Sequence, residues 1–162
     1  MSPRREYAAV LALLLGAGAL CLVASGAVWR QDAARPPFAV LPEAVTGVQA
    51  APEVRAAALV ALAGSLAVLA TGRRGRLVVG VLVAAAGAAG AVGAAGSLAE
   101  ATTWWPAVAL GSATLLVLAG SLVALRGGRW PTLGARYDRE APRVEGPRST
   151  WDALDRGEDP TV

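Results

Sequence analysis

The chain contains no histidine, lysine, asparagine or isoleucine, and its one cysteine is Cys21. Without histidine, the sequence lacks the commonest general base and the commonest zinc ligand. A single cysteine excludes an internal disulfide bond and a cysteine-based metal cluster. All 15 cationic side chains are arginine. These absences remove most catalytic and metal-binding chemistry, so we predict a protein that is not an enzyme and that holds no cofactor or metal.

Long apolar runs are what the chain has instead. Apolar types make up 55% of the 162 residues, and 38 positions are alanine. A helix needs about 20 apolar residues to cross the hydrocarbon core of a bilayer. Four nearly charge-free runs approach or exceed this length, and we predict transmembrane spans at residues 7–29, 56–72, 77–99 and 105–125, with an outer loop at residues 30–55.

The fold class follows from the chemistry of lipid. Backbone polar groups in a bilayer must be bonded internally, which leaves helices and closed barrels. The runs do not alternate between apolar and polar residues as barrel strands do. We therefore predict an all-α integral membrane protein, with residues 1–125 as a four-helix bundle and residues 126–162 as a mostly disordered tail.

The connections between the spans differ in length. The second run is short, and its helix can begin at Pro52 if Arg55 extends to the interface. Short links at residues 72–76 and 99–103 predict two tight helical hairpins. The outer loop contains four prolines and is predicted to be extended and irregular; they are Pro36, Pro37, Pro42 and Pro52.

The placement of arginine predicts the orientation in a membrane. One side carries nine arginines near the spans: Arg4, Arg5, Arg73, Arg74, Arg76, Arg126, Arg129, Arg136 and Arg139. The other side has three, offset by three acids: Arg30, Arg35 and Arg55 against Asp32, Glu43 and Glu53. Cytoplasmic loops are enriched in arginine. We therefore predict a bacterial plasma-membrane protein with both termini in the cytoplasm.

Aromatic and basic residues near the span ends are predicted to anchor the protein at the two membrane interfaces. Trp29, Trp104 and Trp105 are assigned to the outer interface, and Tyr7 and Trp130 to the inner one. The link between the second and third spans supplies the basic inner anchors Arg73, Arg74 and Arg76. A cleaved signal peptide is the alternative for the first 27 residues, because Arg4 and Arg5 precede an apolar segment with small residues near its end.

Glycines recur every three residues in the third span, at Gly87, Gly90, Gly93 and Gly96. Small residues allow transmembrane helices to approach closely, and we predict that these four serve helix packing. A phosphate-binding loop is the alternative, but no basic or hydroxyl partner follows the glycines. The serines in or near the spans lack an activating base, so we expect them to bond to helix carbonyls or across helices.

Two further features have a functional and a simpler interpretation. The string LAGSL occurs twice, at residues 62–66 and 118–122. The two copies are either an internal repeat of the kind found in some transporters or a chance recurrence in a chain rich in alanine, leucine and glycine. Glu100 lies at the outer end of the third span, either as an interfacial residue with access to water or as a proton-coupling group.

The tail changes the sign of its charge along its length. Residues 126–148 carry six arginines and three acids, whereas residues 149–162 carry one arginine and four acids. The basic part is suited to anionic headgroups, and the acidic end is predicted to form a short helix with Trp151 and Leu154 on one face. We predict that this end docks a cytosolic partner through Trp151, Leu154, Asp155, Arg156 and Asp159. Alternatively, Trp151 packs on the membrane surface or on the protein's own loops.

Two segments resemble elements of a known family. The first, RWPTLGARYDR at residues 129–139, resembles an RWPxxxxRYDR element, and the second, at residues 151–161, resembles a WDALDRGEDPT ending. Together they resemble the tryptophan-associated transmembrane protein family of actinobacteria. Arg4-Arg5-Glu6, Thr46-Gly47 and Pro52 are similar to weaker features of that family. The resemblance implies four spans, a plasma-membrane location and genes in or beside the tryptophan biosynthesis operon, and it implies no catalytic residues.

The leading functional hypothesis is an adaptor whose bundle anchors the acidic tail that docks a partner, linked to tryptophan metabolism. The alternative is a small transporter, or a transporter subunit, for an aromatic metabolite such as tryptophan or indole. A third hypothesis is an assembly or lipid-organising factor. The partners predicted are the lipid bilayer, a cytosolic protein and further copies of the chain in a homo-oligomer, and no nucleic acid.

Overall fold

The computed structural model describes residues 3–32 and 43–130, all of which belong to one compact unit, Met1–Pro131. Its elements in chain order are helix α1 (Pro3–Gly26), strands β1 (Val28–Asp32) and β2 (Glu43–Thr46), and helices α2 (Gly47–Ala50), α3 (Pro52–Ala70), α4 (Arg73–Gly96) and α5 (Trp105–Arg126). Short 3-10 helices follow α4 at Leu98–Glu100 and α5 at Gly127–Arg129.

Four of the helices are long and apolar enough to cross a membrane, which confirms the predicted number of spans. Alanine and leucine dominate them, and both are among the strongest helix formers. Proline occupies the first turn of α3 and of α5, where its missing N–H costs no intrahelical hydrogen bond. The mostly helical fold predicted from the sequence is therefore correct.

The long helices form a ring in which each packs against two neighbours. Helix α1 contacts α3 and α5, and α4 contacts the same two from the opposite corner. Small residues line the interior, and alanine at these buried positions lets the helix backbones approach closely. The fully buried alanines include Ala57, Ala61, Ala109, Ala113 and Ala119.

Several helix boundaries differ from those predicted. Helix α1 covers Pro3–Gly26 and not residues 7–29, and α4 covers Arg73–Gly96 and not residues 77–99. Arginine is a good helix former, so each of these helices includes the arginines that precede its apolar run. Helix α1 ends at Gly26 because the chain then turns into β1.

The described part of the outer loop, residues 30–32 and 43–55, contains regular structure where an extended, irregular segment was expected. Strands β1 and β2 pair antiparallel, from Val28 opposite Thr46 to Asp32 opposite Glu43. The register shifts between Val28 and Arg30, so Trp29 is the extra residue of a bulge. The prolines Pro36, Pro37 and Pro42 lie outside the described residues.

Candidate functional site at the arginine-rich end of the bundle

One end of the bundle joins the beginning of α1, the beginning of α4 and the end of α5. The ring of Tyr7 meets that of Trp130 edge to face, with 5.4 Å between the ring centroids. Glu6 pairs with Arg126 at 3.3 Å. The two ends of the described chain therefore lie on the same side of the bundle.

Arg76 is the central side chain of this end, and it is 1% exposed. Its Nη1 donates to the carbonyl oxygens of Gly127 and Trp130, at 3.0 and 3.1 Å. Its Nε donates to the carbonyl of Val68 at 3.2 Å. The guanidinium also lies 5.5 Å from the centre of the Tyr7 ring, within the range of a cation–π contact. Arg76 thus holds the point at which the chain leaves α5.

Two glycines make room for arginine side chains above the end of α5. A Cβ atom placed on Gly127 would lie 3.1 Å from the Cβ of Arg76. A Cβ atom placed on Gly128 would lie 2.9 Å from Cγ and 3.0 Å from Nε of Arg73. Because such approaches are tighter than ordinary contacts, the Gly127-Gly128 pair is what allows both side chains to lie against this turn.

The remaining arginines described at this end are exposed. They are Arg4, Arg5, Arg73, Arg74, Arg126 and Arg129. The predicted inner anchors Arg73 and Arg74 are thus solvent-facing or headgroup-facing, whereas Arg76 is not. The sequence expectation for Arg76 is corrected, since its charge is satisfied inside the protein.

The opposite end is organised around Trp29. Its indole is 1% exposed, and Nε1 donates to the carbonyl of Ala24 at 2.8 Å. At the bulge, the Trp29 carbonyl oxygen accepts a hydrogen bond from the backbone N–H of Thr102 at 3.0 Å. The hydroxyl of Thr103 donates to the Val28 carbonyl at 2.8 Å. These bonds connect the hairpin to the segment between α4 and α5.

A surface ion-pair group adds to this connection. Arg30 pairs with Glu100, and its Nε also lies 3.1 Å from Asp32. Glu100 is exposed, so the pair is solvated and contributes about 1 kcal/mol or less. The structure places Glu100 as the acceptor of this ion pair at the end of the bundle.

The predicted aromatic anchors separate into two groups. Trp29 and Trp130 are buried in the protein, so they do not present their rings to lipid, and their assignment as interface anchors is corrected. Trp104 is exposed and stacks on Trp105 with 4.5 Å between the ring centroids. The assignment of Trp104 and Trp105 to the outer interface stays a prediction.

The predicted glycine set likewise divides. A Cβ atom at Gly87 would lie 3.0 Å from the Ala113 carbonyl oxygen on α5, and one at Gly90 would lie 3.2 Å from Ala57 Cβ on α3. Gly93 adjoins Glu53, whereas a Cβ atom at Gly96 would meet nothing within 4 Å. A three-residue step turns about 60° short of a full helical circle, so Gly96 lies on the side opposite Gly87 and makes no such contact.

The spacing of the buried positions is a signal that could have revealed Arg76. The buried residues of α4 alternate in steps of four and three: Arg76, Gly80, Val83, Gly87, Gly90 and Ala94. If the same spacing is continued from Gly87 toward the start of α4, the next inward-facing positions are Val83, Gly80 and Arg76. Sequence reasoning missed this because it treated residues 72–76 as a loop.

The serines have the role predicted for them. Ser25, Ser65 and Ser97 donate to carbonyls three or four positions earlier, at 2.6–3.2 Å. Ser112 and Ser121 do the same at 2.8 Å, and the Ser112 Oγ lies 3.1 Å from Cys21 Sγ. These hydroxyls are occupied by helix carbonyls.

The predicted docking residues Trp151, Leu154, Asp155, Arg156 and Asp159 lie outside the described residues. Within the ranges 3–32 and 43–130, no group of three acidic, cysteine or histidine side chains is arranged to hold a metal ion. The arginine-rich end presents six exposed positive charges and one buried guanidinium.

A family described as tryptophan-associated transmembrane protein matches residues 10–161. The match covers nearly the whole chain, and the chain therefore belongs to this family. No curated protein and no solved structure matches the chain. The chain is accordingly a multi-pass membrane protein of the tryptophan-associated family.

Proposed function

We propose that this family member is a non-enzymatic adaptor of the bacterial plasma membrane, whose bundle anchors a cytoplasmic C-terminal segment that docks a protein linked to tryptophan metabolism. The observation that carries the proposal is the bonding of Arg76 to the carbonyls of Gly127 and Trp130. An adaptor needs its binding segment attached at a fixed point. The buried Arg76 provides that point where α5 ends.

The orientation is part of the proposal. The two ends of the described chain lie together at the end that carries six exposed arginines. Arginine-rich ends of membrane bundles face the cytoplasm. Both termini are then cytoplasmic, and the β1–β2 hairpin faces the outside.

The acidic end of the sequence supplies the docking chemistry. Trp151 and Leu154 are spaced to share one side of a short helix, and Asp155 and Asp159 add negative charge to the same segment of the sequence. Tryptophan is among the residues that dominate binding energy at protein interfaces. A cytosolic partner with an apolar groove bordered by basic residues fits this segment.

Close packing between α4 and α5 favours the adaptor over the transporter alternative. A Cβ atom at Gly80 would lie 2.7 Å from the Gly120 carbonyl oxygen, and one at Gly120 the same distance from the Gly80 carbonyl oxygen. Backbones this close leave no room between them for an aromatic ring. No contact of the described residues specifically favours transport.

The test is co-purification in mild detergent followed by mass spectrometry. The full chain is compared with a chain ending after Gly134, which keeps the buried Trp130 and the acceptors of Arg76. We expect a cytosolic protein that accompanies the full chain and is lost from the shortened one. Trp151→Ala should lose it as well, whereas the matched apolar truncation Val144→Ala should retain it.

Two results would contradict the proposal. If the shortened chain retains the partner, the docking surface lies on the bundle and not on the tail. If neither chain brings down a protein, even after crosslinking in cells, the C-terminal segment is not a docking site. Release of preloaded tryptophan from cells with and without the protein then tests the transporter alternative, which predicts faster release with it.

A further inference from the structure

Three exposed arginines lie at one corner of the bundle, where the beginning of α4 contacts the 3-10 helix that follows α5. Arg73 and Arg74 open α4, and Arg129 closes the 3-10 helix after α5. The side chain of Arg73 lies against Gly128, the neighbour of Arg129 in the chain. In the part of the chain that the structure describes, none of the three forms an ion pair. The fold therefore concentrates positive charge here.

Positive charge at the beginning of α4 is electrostatically unfavourable unless an anion is close to it. The beginning of a helix carries a partial positive charge and favours anions. Helix α4 begins with Gly72 as its N-cap, no side chain caps it, and its first turn contains no acid. The two exposed arginines in this turn add positive charge to the positive end of the helix dipole. A negatively charged group bound here would offset both the charge of the arginines and that of the dipole.

The surface next to the arginines is apolar. Leu77 and Val81 follow Arg73 at intervals of four, and Val78 and Leu82 follow Arg74 at intervals of four. Such positions share a side of the helix. All four of these apolar residues are more than half exposed. The corner thus combines a basic group with an apolar track that leads into the span.

We propose that this corner is a binding site for an anionic phospholipid. The headgroup phosphate contacts Arg73, Arg74 and Arg129, and an acyl chain lies along the exposed face that begins at Leu77. A soluble phosphate would use the arginines alone, whereas a lipid uses both parts of the surface. The site is independent of what the C-terminal segment docks.

The experiment measures lipid selectivity by native mass spectrometry of the full chain in mild detergent. Phosphatidylglycerol and phosphatidylcholine with identical acyl chains are added together, and the ratio of bound lipids is recorded. The double variant Arg73→Gln/Arg74→Gln should lower this ratio about thirtyfold, from about 1 kcal/mol per arginine and 1.4 kcal/mol per tenfold change. The control Arg55→Gln, at the opposite end, should leave it unchanged.

Two further variants keep the test decisive. Arg73→Lys/Arg74→Lys keeps the charge and should retain most of the selectivity. Arg129→Gln leaves α4 intact and should lower the ratio about fivefold, so it decides the matter if the double glutamine variant does not fold.

The results that would overturn the proposal are specific. A wild-type chain that binds both lipids equally has no such site. A lipid ratio that stays at the wild-type value in Arg73→Gln/Arg74→Gln, or in Arg129→Gln, places any lipid elsewhere. If glycerol phosphate at equal concentration displaces the bound lipid, the corner binds soluble anions and the acyl chain has no part.

Discussion

At the scale of single residues, Arg76 is the one buried charged side chain within residues 3–32 and 43–130, and its role is structural. Arg76 is buried, and three backbone carbonyls accept hydrogen bonds from its guanidinium. Burial of a charge without partners costs several kcal/mol, so these acceptors are what makes the position tolerable. The planar guanidinium reaches several acceptors at once, which an ammonium does not do as well.

Replacing Arg76 should therefore destabilise the bundle. Arg76→Gln removes the guanidinium hydrogen bonds to the carbonyls of Val68, Gly127 and Trp130, and we expect a loss of about 3 kcal/mol in the free energy of unfolding. Thermal unfolding in a single detergent measures this. Arg55→Gln, which removes an exposed arginine, should change the stability by less than about 0.5 kcal/mol. Equal effects of the two variants would mean that the guanidinium bonds contribute nothing.

Trp29 and Trp104 were both predicted at the outer interface, but Trp29 is buried and Trp104 is exposed. Trp29→Ala opens a cavity beside Gly47 and removes the bond to the Ala24 carbonyl, so we expect a loss of about 3–5 kcal/mol. Trp104→Ala removes an exposed ring and should cost much less in detergent. Comparing the unfolding midpoints of the two variants checks this, and a larger effect for Trp104→Ala would contradict the burial described here.

At the scale of elements, the pairing of α4 with α5 depends on two glycines that face each other. A Cβ atom at Gly120 would lie 2.6 Å from the backbone N of Ala84, and one at Gly80 would lie 2.5 Å from the backbone N of Ala124. Backbone atoms cannot move aside as a flexible side chain can. In lipid, such contacts matter because apolar burial alone does not drive helices together.

The prediction at this scale compares two glycines of the same helix. Gly120→Ala forces α4 and α5 apart and should destabilise the protein by about 1–3 kcal/mol. Gly111→Ala meets nothing within 4 Å, and it should be neutral or stabilise by up to about 1 kcal/mol, because alanine is the better helix former. Denaturant titration of the two variants in detergent tests the contrast. If Gly120→Ala is as stable as Gly111→Ala, the two helices do not pack through this contact.

At the scale of the whole molecule, the two ends of the bundle are built differently. The arginine-rich end is closed by bonds from Arg76, and the other by the hairpin, whose bulge turns the Trp29 carbonyl toward Thr102. The proposed orientation places the first in the cytoplasm.

Single-cysteine labelling in intact cells tests the orientation. In a Cys21→Ser background, a membrane-impermeant maleimide should label Glu43→Cys, because Glu43 is exposed on the hairpin. Thr161→Cys should be labelled only after the cells are lysed. The reverse pattern would place the termini outside the cell.

The sequence by itself determined the four spans, the concentration of arginine at one end, the serine hydrogen bonds to helix carbonyls and the family. These depend on composition within short segments, such as a run of hydrocarbon length or a carbonyl one turn away. The packing of the helices was needed to show which groups Arg76 bonds, which tryptophans are internal and which glycines make close contacts. Arg76 meets Gly127 from 51 positions away, and Gly96 faces away from the contact of Gly87. Such contacts are set by the rotation of each helix against neighbours distant in sequence, so the bonding of Arg76 could not be derived from its own segment alone.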